Sequence, residues 1–248
     1  MAVEADRLLR YPLAPLLAAQ ALWVGLRAER LPEPPGPRSG TRGTGPPLRL
    51  LILGDSSAAG VGAETQDTAL SGCLARALSA HVTLDWHLEG ETSATTKTSL
   101  AKRPKLPDRP FDLALLIHGV NDTTRLTAPR TFRARQIALM DALRARHGVG
   151  RFVLSGVPPM QHFPLLPQPL RWVLGQQAAR LDAELARLAS EREEVSHLPL
   201  ALPFEPHLVA RDGFHPSEAA YALWSEMLAT EILKDGCAAS GATSTRNR

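Results

Sequence analysis

Apolar residues fall along this chain in short runs, and the period of the runs switches regularly between strand-like and helix-like. Leu48–Leu53 (LRLLIL) is nearly continuous, as expected for a strand buried on both faces. From Thr68 to Leu78, Leu70, Leu74, Ala77 and Leu78 recur at helical spacing. His81–Leu88 alternates, with Val82, Leu84, Trp86 and Leu88 on one side, and predicts a second strand. Phe111–Ile117 (FDLALLI) predicts a third, and Phe152–Leu154 begins a fourth. A weak fifth is expected at Val195–Leu198. Between these, the pattern predicts helices at Pro129–His147, closing at Gly148, and at Arg171–Glu191. A last helix is expected from about Ser217 to Leu233, with Ser217 as its N-cap after Pro216. Strands alternating with helices argue for a parallel sheet covered on both faces and joined by right-handed crossovers. Ligands bind such sheets beyond the carboxyl ends of their strands.

Upstream of this pattern, Tyr11–Leu26 (YPLAPLLAAQALWVGL) is strongly apolar, with Arg7 and Arg10 before it and Arg27 after it. It is short for a membrane span of roughly 20 residues, and Glu4 and Asp6 dilute the basic start that a signal peptide needs. Three readings stay open: a helix packing on the domain or lying on a membrane surface, an uncleaved signal anchor, or a signal peptide. Residues 31–47 (LPEPPGPRSGTRGTGPP) read as a Pro/Gly-rich linker. The expected organisation is therefore an apolar N-terminal helix at 1–30, a linker at 31–47, one catalytic-type domain at 48–236 and a flexible tail at 237–248. Location is expected to be cytoplasmic, or membrane-associated in the cell envelope. The membrane-surface contact would run through residues 5–28.

Composition narrows the function. With 248 residues, 44% of them hydrophobic and 21% charged, the chain can bury one sizeable core. Its net charge of +3 comes from scattered arginines, and aromatics make up 5%, so no basic–aromatic stretch supports nucleic-acid binding. Cys73 lies in a predicted helix and Cys237 in the tail; one pair establishes no disulfide framework, and both read as unpaired thiols. No His, Cys and carboxylate cluster has metal-ligand spacing, and no cofactor is implied.

The chemistry sits at the strand ends. A serine hydroxyl needs a base to become nucleophilic, and the base is commonly a histidine oriented by a carboxylate. Ser56 follows a buried strand in a turn of small residues (GDSSAAGVG). His215 lies in Asp212-Gly213-Phe214-His215-Pro216, where Asp212 could reach the second ring nitrogen across one turn. Asn121 follows the third strand in Gly119-Val120-Asn121-Asp122. Each part alone has a plain alternative. Ser56 could be a helix cap, Asn121 an Asx turn, and Asp212 and His215 surface polar residues.

Together the parts resemble the SGNH, or GDSL-type, hydrolase family. Gly54-Asp55-Ser56 resembles its first block, Gly90-Glu91-Thr92 its second, Gly119-x-Asn121-Asp122 its GxND block and Asp212-x-x-His215-Pro216 its DxxHP block. All occur in family order over about Leu48–Leu233. Ser57 stands where the founding motif has leucine. The resemblance implies a three-layer α/β/α, flavodoxin-like fold around a mostly parallel five-stranded sheet. It implies a serine esterase working through an acyl-enzyme, with Ser56 as nucleophile, His215 as base and Asp212 as its orienting acid. The backbone N–H groups of Ser56 and Gly90 and the side-chain amide of Asn121 would form the oxyanion hole. Ser93 is the alternative to Gly90.

Other residues are read as secondary. His118 is expected to be a packed histidine that could also line the pocket, Asp122 to fix the Asn121 loop, and His87 to be a strand residue. The apolar loop Pro158–Pro169 is either a plain connection or an acyl-pocket wall or lid. The expected substrate is a small-molecule ester with a simple or lipid-like acyl group. An acetyl-sugar esterase, a thioesterase, a non-catalytic binding module on the same scaffold and a membrane-surface interaction protein are the alternatives. An α/β-hydrolase-fold esterase is disfavoured because no Gly-x-Ser-x-Gly is present.

Overall fold

A computed structural model describes residues 5–102, 106–200, 202–203 and 205–234. The tail expected at 237–248, with Cys237, lies outside the described residues. Among the described residues six strands form one sheet: β1 (Ser39–Arg42), β2 (Pro47–Gly54), β3 (Thr83–Gly90), β4 (Leu113–Ile117), β5 (Arg151–Ser155) and β6 (Val195–Leu198). Their spatial order is β1-β3-β2-β4-β5-β6. All neighbours pair in parallel except β1, which runs antiparallel to β3. Helix α2 (Leu70–Leu78) joins β2 to β3, and α3 (Thr96–Lys102) joins β3 to β4. Helices α4 (Val120–Thr124) and α5 (Pro129–His147) lead to β5, α6 (Leu170–Glu191) leads to β6, and α7 (Glu218–Leu233) ends the described chain.

Side-chain alternation along the strands produces three layers, as expected from the apolar runs. Leu50 and Ile52 of β2, Leu113 and Leu115 of β4 and Val153 of β5 meet α2 and α7 through Leu74, Tyr221, Trp224 and Leu228. Their sequence neighbours Leu51, Leu53, Ala114, Leu116, Phe152 and Leu154 face the other way, onto Phe132, Leu139 and Leu143 of α5 and Leu181, Leu185 and Leu188 of α6. Every residue of β4 is buried, so its sequence carries no polar alternation at all. The chain runs from β2 outward to β3, then returns past β2 to β4. That reversal opens a crevice at the carboxyl ends of β2 and β4, where open α/β sheets place their sites.

The expected five strands become six, and 31–47 is not a free linker. Within it Ser39–Arg42 forms β1, with Gly40 opposite Trp86. A Cβ on Gly40 would lie 2.5 Å from the Trp86 ring, so the glycine lets that ring lie flat across the edge strand. Pro34 is buried, and Gln66 donates to the carbonyls of both Pro34 and Ala59. Glu33 accepts from the backbone and side chain of Thr92. These bonds strap the segment to the loops that follow β2 and β3. Two short helices, α3 and α4, were also not expected.

The apolar N-terminal segment is a single helix, α1 (Ala5–Arg27), continuous through Pro12 and Pro15. It lies against α6. Asp6 is buried between Arg180, at 2.7 and 2.9 Å, and Arg10, at 2.8 Å. The Arg180 guanidinium, joined by Arg10, holds its carboxyl below the usual range despite burial. Among the described residues, no helix is long and apolar enough to cross a membrane.

Candidate active site

The first strand-end turn is built around Ser56. Asp55 donates its N–H to the carbonyl of Ile117 at the end of β4, 3.1 Å away. Ala59 N–H bonds back to Asp55 O, and Val61 N–H to Ser56 O. The Asp55 side chain turns inward and accepts from Ser57 N–H at 3.0 Å. Burial pushes its carboxyl up to about 6. Ser56 itself is buried apart from its opening to the pocket.

The second half of the site is the loop before α7. Asp212 is buried and its Oδ1 accepts from the backbone N–H groups of Phe214 and His215, each at 3.0 Å. Its Oδ2 lies 2.5 Å from His215 Nδ1. A carboxylate can only accept, so Nδ1 carries a proton, and in the neutral ring Nε2 is the acceptor. Ser56 Oγ is 2.9 Å from Nε2. Burial pushes the Asp212 carboxyl up, but the His215 ring and the two backbone N–H groups outweigh it, and the net shift is downward. The loop is pinned from both sides. Ala210 N–H donates to His215 O, and Leu165 N–H donates to Gly213 O. Ser217 caps α7 as expected, accepting from Ala220 N–H at 3.3 Å.

The two remaining motif residues approach the Ser56 turn from other strands. Gly90 ends β3 opposite Gly54. An added Cβ there would sit 2.5 Å from Ala59 N, so only glycine allows this strand end to close on the Ser56 turn. Asn121 lies in the first turn of α4, and its amide donates to Ala94 O at 3.0 Å. An amide nitrogen has two protons, so one remains to be given. The preceding Gly119 takes a φ of +140° against Val157, a conformation other residues rarely adopt. Ser93 is exposed, in a left-handed turn. Asp122 is fully buried and accepts from Thr96 N–H, Thr96 Oγ1 and Thr127 Oγ1, which ties α3 to the Asn121 turn.

Ser56 and His215 open into a pocket of about 480 Å³. One wall is the Pro-rich loop, through Pro158, Pro159, Phe163 and Pro164, so that loop does line the site. Phe163 meets Phe214 edge-on, 5.1 Å between ring centres, and Phe214 meets His215 in the same way. A second wall is Leu200, Leu202, Pro203, Pro206 and Leu208. This second wall was not singled out from sequence; its signal was the run of leucines and prolines just after β6. His118 is both packed and pocket-lining. Its Nε2 is 2.8 Å from Ser99 Oγ, and burial lowers its pKa to about 4, so it is neutral at pH 7. His87 is a strand residue, half-buried against Phe111. Among the described residues, no group of three or more His, Cys, Asp or Glu could hold a metal ion.

Known proteins resemble this chain in sequence and in fold. Residues 52–223 match the model of the GDSL-like lipase/acylhydrolase family. A GDSL-like esterase of Mycobacterium tuberculosis is 29% identical over 209 residues, which is 76% of this chain and 66% of that protein, just under two thirds of its length. Among solved structures, the inhibitor-bound aryl esterase of M. smegmatis superposes with a TM-score of 0.56 at 20% identity, covering 75% of this chain and 98% of that one. A family 3 carbohydrate esterase of Clostridium thermocellum gives a TM-score of 0.56 at 18% identity, covering 76% and 98%. At those identities the structural likeness establishes the three-layer fold.

Proposed function

Because the chain belongs to the GDSL-like lipase/acylhydrolase family, we propose that it is a serine hydrolase of carboxylic esters with simple or lipid-like acyl groups. The observation that carries this reading is the relay Ser56 Oγ to His215 Nε2, 2.9 Å, and His215 Nδ1 to Asp212 Oδ2, 2.5 Å. It opens into a largely apolar pocket. Ser56 attacks the acyl carbonyl as its proton passes to His215 Nε2. The imidazolium so formed is held by the Asp212 carboxylate. The developing oxyanion takes hydrogen bonds from the N–H groups of Ser56 and Gly90 and from the remaining amide proton of Asn121. Collapse expels the alcohol, protonated by His215, and leaves Ser56 acylated. Water, deprotonated by the same histidine, then releases the acid.

The pocket walls argue the substrate class. Prolines, leucines and the Phe163–Phe214 pair surround the space next to Ser56. Such a surface gains by covering alkyl groups and offers few partners to sugar hydroxyls. A panel of nitrophenyl esters of increasing acyl length, run on wild type and Ser56→Ala, tests both statements. Ser56→Ala is expected to lose roughly 10⁴- to 10⁶-fold in kcat. Wild type is expected to prefer acyl chains longer than acetyl. Undiminished hydrolysis by Ser56→Ala, or a strict preference for acetylated sugars, contradicts the proposal.

A further inference from the structure

Helix α1 uses only one narrow stripe to hold the domain. Asp6, Arg10, Leu13, Leu17, Gln20 and Val24 are the residues of its seam, spaced three and four apart; Asp6 is buried and the others are partly covered. Leu17 and Val24 pack onto the core. The opposite face is apolar and uncovered. Leu8 is 60% exposed, Tyr11 84%, Leu22 65% and Leu26 78%, with Leu9, Leu16 and Trp23 along its flank. At 100° per residue these side chains centre on the side of the helix away from the seam. From Tyr11 to Leu26 there is no charged residue. The side-chain polar groups of Asp6, Arg10 and Gln20 are turned inward and bonded within the chain. Besides these, the Tyr11 hydroxyl and the Trp23 indole N–H are the side-chain groups between Arg7 and Arg27 able to make directional bonds, few for recognising a protein surface.

The ends of this face carry cations. Arg7 is exposed at one end, and Arg27 and Arg30 are exposed at the other. The Arg27 guanidinium lies over the Trp23 ring, 5.7 Å from its centre. The uncharged stretch from Tyr11 to Leu26 is about 24 Å long at 1.5 Å per residue, less than the ~30 Å of a hydrocarbon core. An apolar face of this length with arginines at both ends suits a helix lying in the plane of an anionic lipid surface, with its aromatic ring at headgroup depth. A contiguous exposed apolar patch on a folded domain marks an interaction site.

The helix is also wired to the pocket. Gln20 donates to Gln168 O at 2.6 Å and accepts from Leu170 N–H at 3.1 Å, at the end of the Pro-rich pocket loop. Just after the helix, Glu29 pairs at 2.8 Å with Arg211, which lines the pocket beside Asp212. The geometry points to a seat for an anionic lipid surface on the outer face of α1, one that holds the pocket loop and Arg211 at the lipid boundary. Delivery of lipid-phase esters through this seat rests on the esterase reading above; the seat itself does not.

Flotation of the full chain with vesicles tests it, comparing phosphatidylcholine alone with mixtures containing phosphatidylglycerol. Wild type is expected to float with the anionic vesicles, and to do so less at high salt or on phosphatidylcholine alone. Leu22→Glu/Leu26→Glu changes two exposed side chains and is expected to partition about a hundredfold more weakly. Its turnover of a soluble short-chain ester should be unchanged, while its turnover of an ester embedded in the vesicle should fall. Ser56→Ala should float like wild type, which separates failure of the seat from failure of the catalytic reading. Wild type that does not float, or a double variant that floats equally, overturns the inference. So does a dimer in sedimentation that the double variant dissociates without any vesicle binding, since the face would then join two copies of this chain.

Discussion

At the scale of single residues, the site divides chemistry among groups whose surroundings differ. Asp212 is held ionised by the ring and backbone donors around it, which keeps His215 in the tautomer that can accept from Ser56. Asn121 spends one amide proton on Ala94; in the proposed mechanism the other goes to the reacting oxygen. Asn121→Ala is expected to lower kcat about a hundred- to a thousandfold with little change in thermal stability; wild-type turnover would remove Asn121 from the oxyanion hole. His118 makes a separate prediction. Burial lowers its pKa from 6.5 to about 4, so the folded state resists binding a proton that the unfolded chain accepts. Its contribution to stability is complete above about pH 6.5 and is lost as pH falls towards 4. Relative to His118→Gln, wild type should lose on the order of 2–3 kcal/mol between pH 7 and pH 4.5. Urea unfolding at the two pH values measures this, and equal losses in both proteins would contradict it.

At the scale of elements, the site is a meeting of strand ends, and one close meeting is between β3 and the turn after β2. Gly90→Ala places a methyl 2.5 Å from the backbone nitrogen of Ala59, where no flexible side chain can give way. It is expected to cost about 1–3 kcal/mol and to reduce turnover by shifting the Ser56 turn. Thermal melts and ester kinetics on the same preparation check both, and a Gly90→Ala enzyme with wild-type stability and rate would contradict the close approach. The elements also show what the sequence could reveal. The buried strands were legible because five successive apolar residues in β4, or the LRLLIL run in β2, have few other structural explanations. Strand β1 was not: Ser-Gly-Thr-Arg has no buried face of its own and is held at the sheet edge by backbone pairing to β3. Helices α3 and α4 are too short for a helical period to register. The four motif blocks were legible as a set, since their residue types and order implied one chemistry. The leucine–proline wall after β6 was not, because its residues carry no chemistry and acquire meaning only by facing Ser56.

At the scale of the whole molecule, the fold brings together a hydroxyl and an imidazole separated by 159 positions in the chain. The sheet fixes Ser56 through β2 and β4, while α7 and its capped N-terminus fix His215 through the opposite layer. The outer helix α1 adds a partial fourth layer, tied to α6 and to the pocket rim. The central claim is that Ser56, activated by His215, is the residue acylated during turnover. The most direct measurement is peptide mapping by mass spectrometry after treatment with a fluorophosphonate, which reacts with activated serines. The account predicts a single adduct on Ser56, absent in His215→Ala, with loss of ester hydrolysis in proportion to labelling. An adduct on Ser57 or elsewhere, or full hydrolytic activity in protein labelled to completion at Ser56, would contradict it.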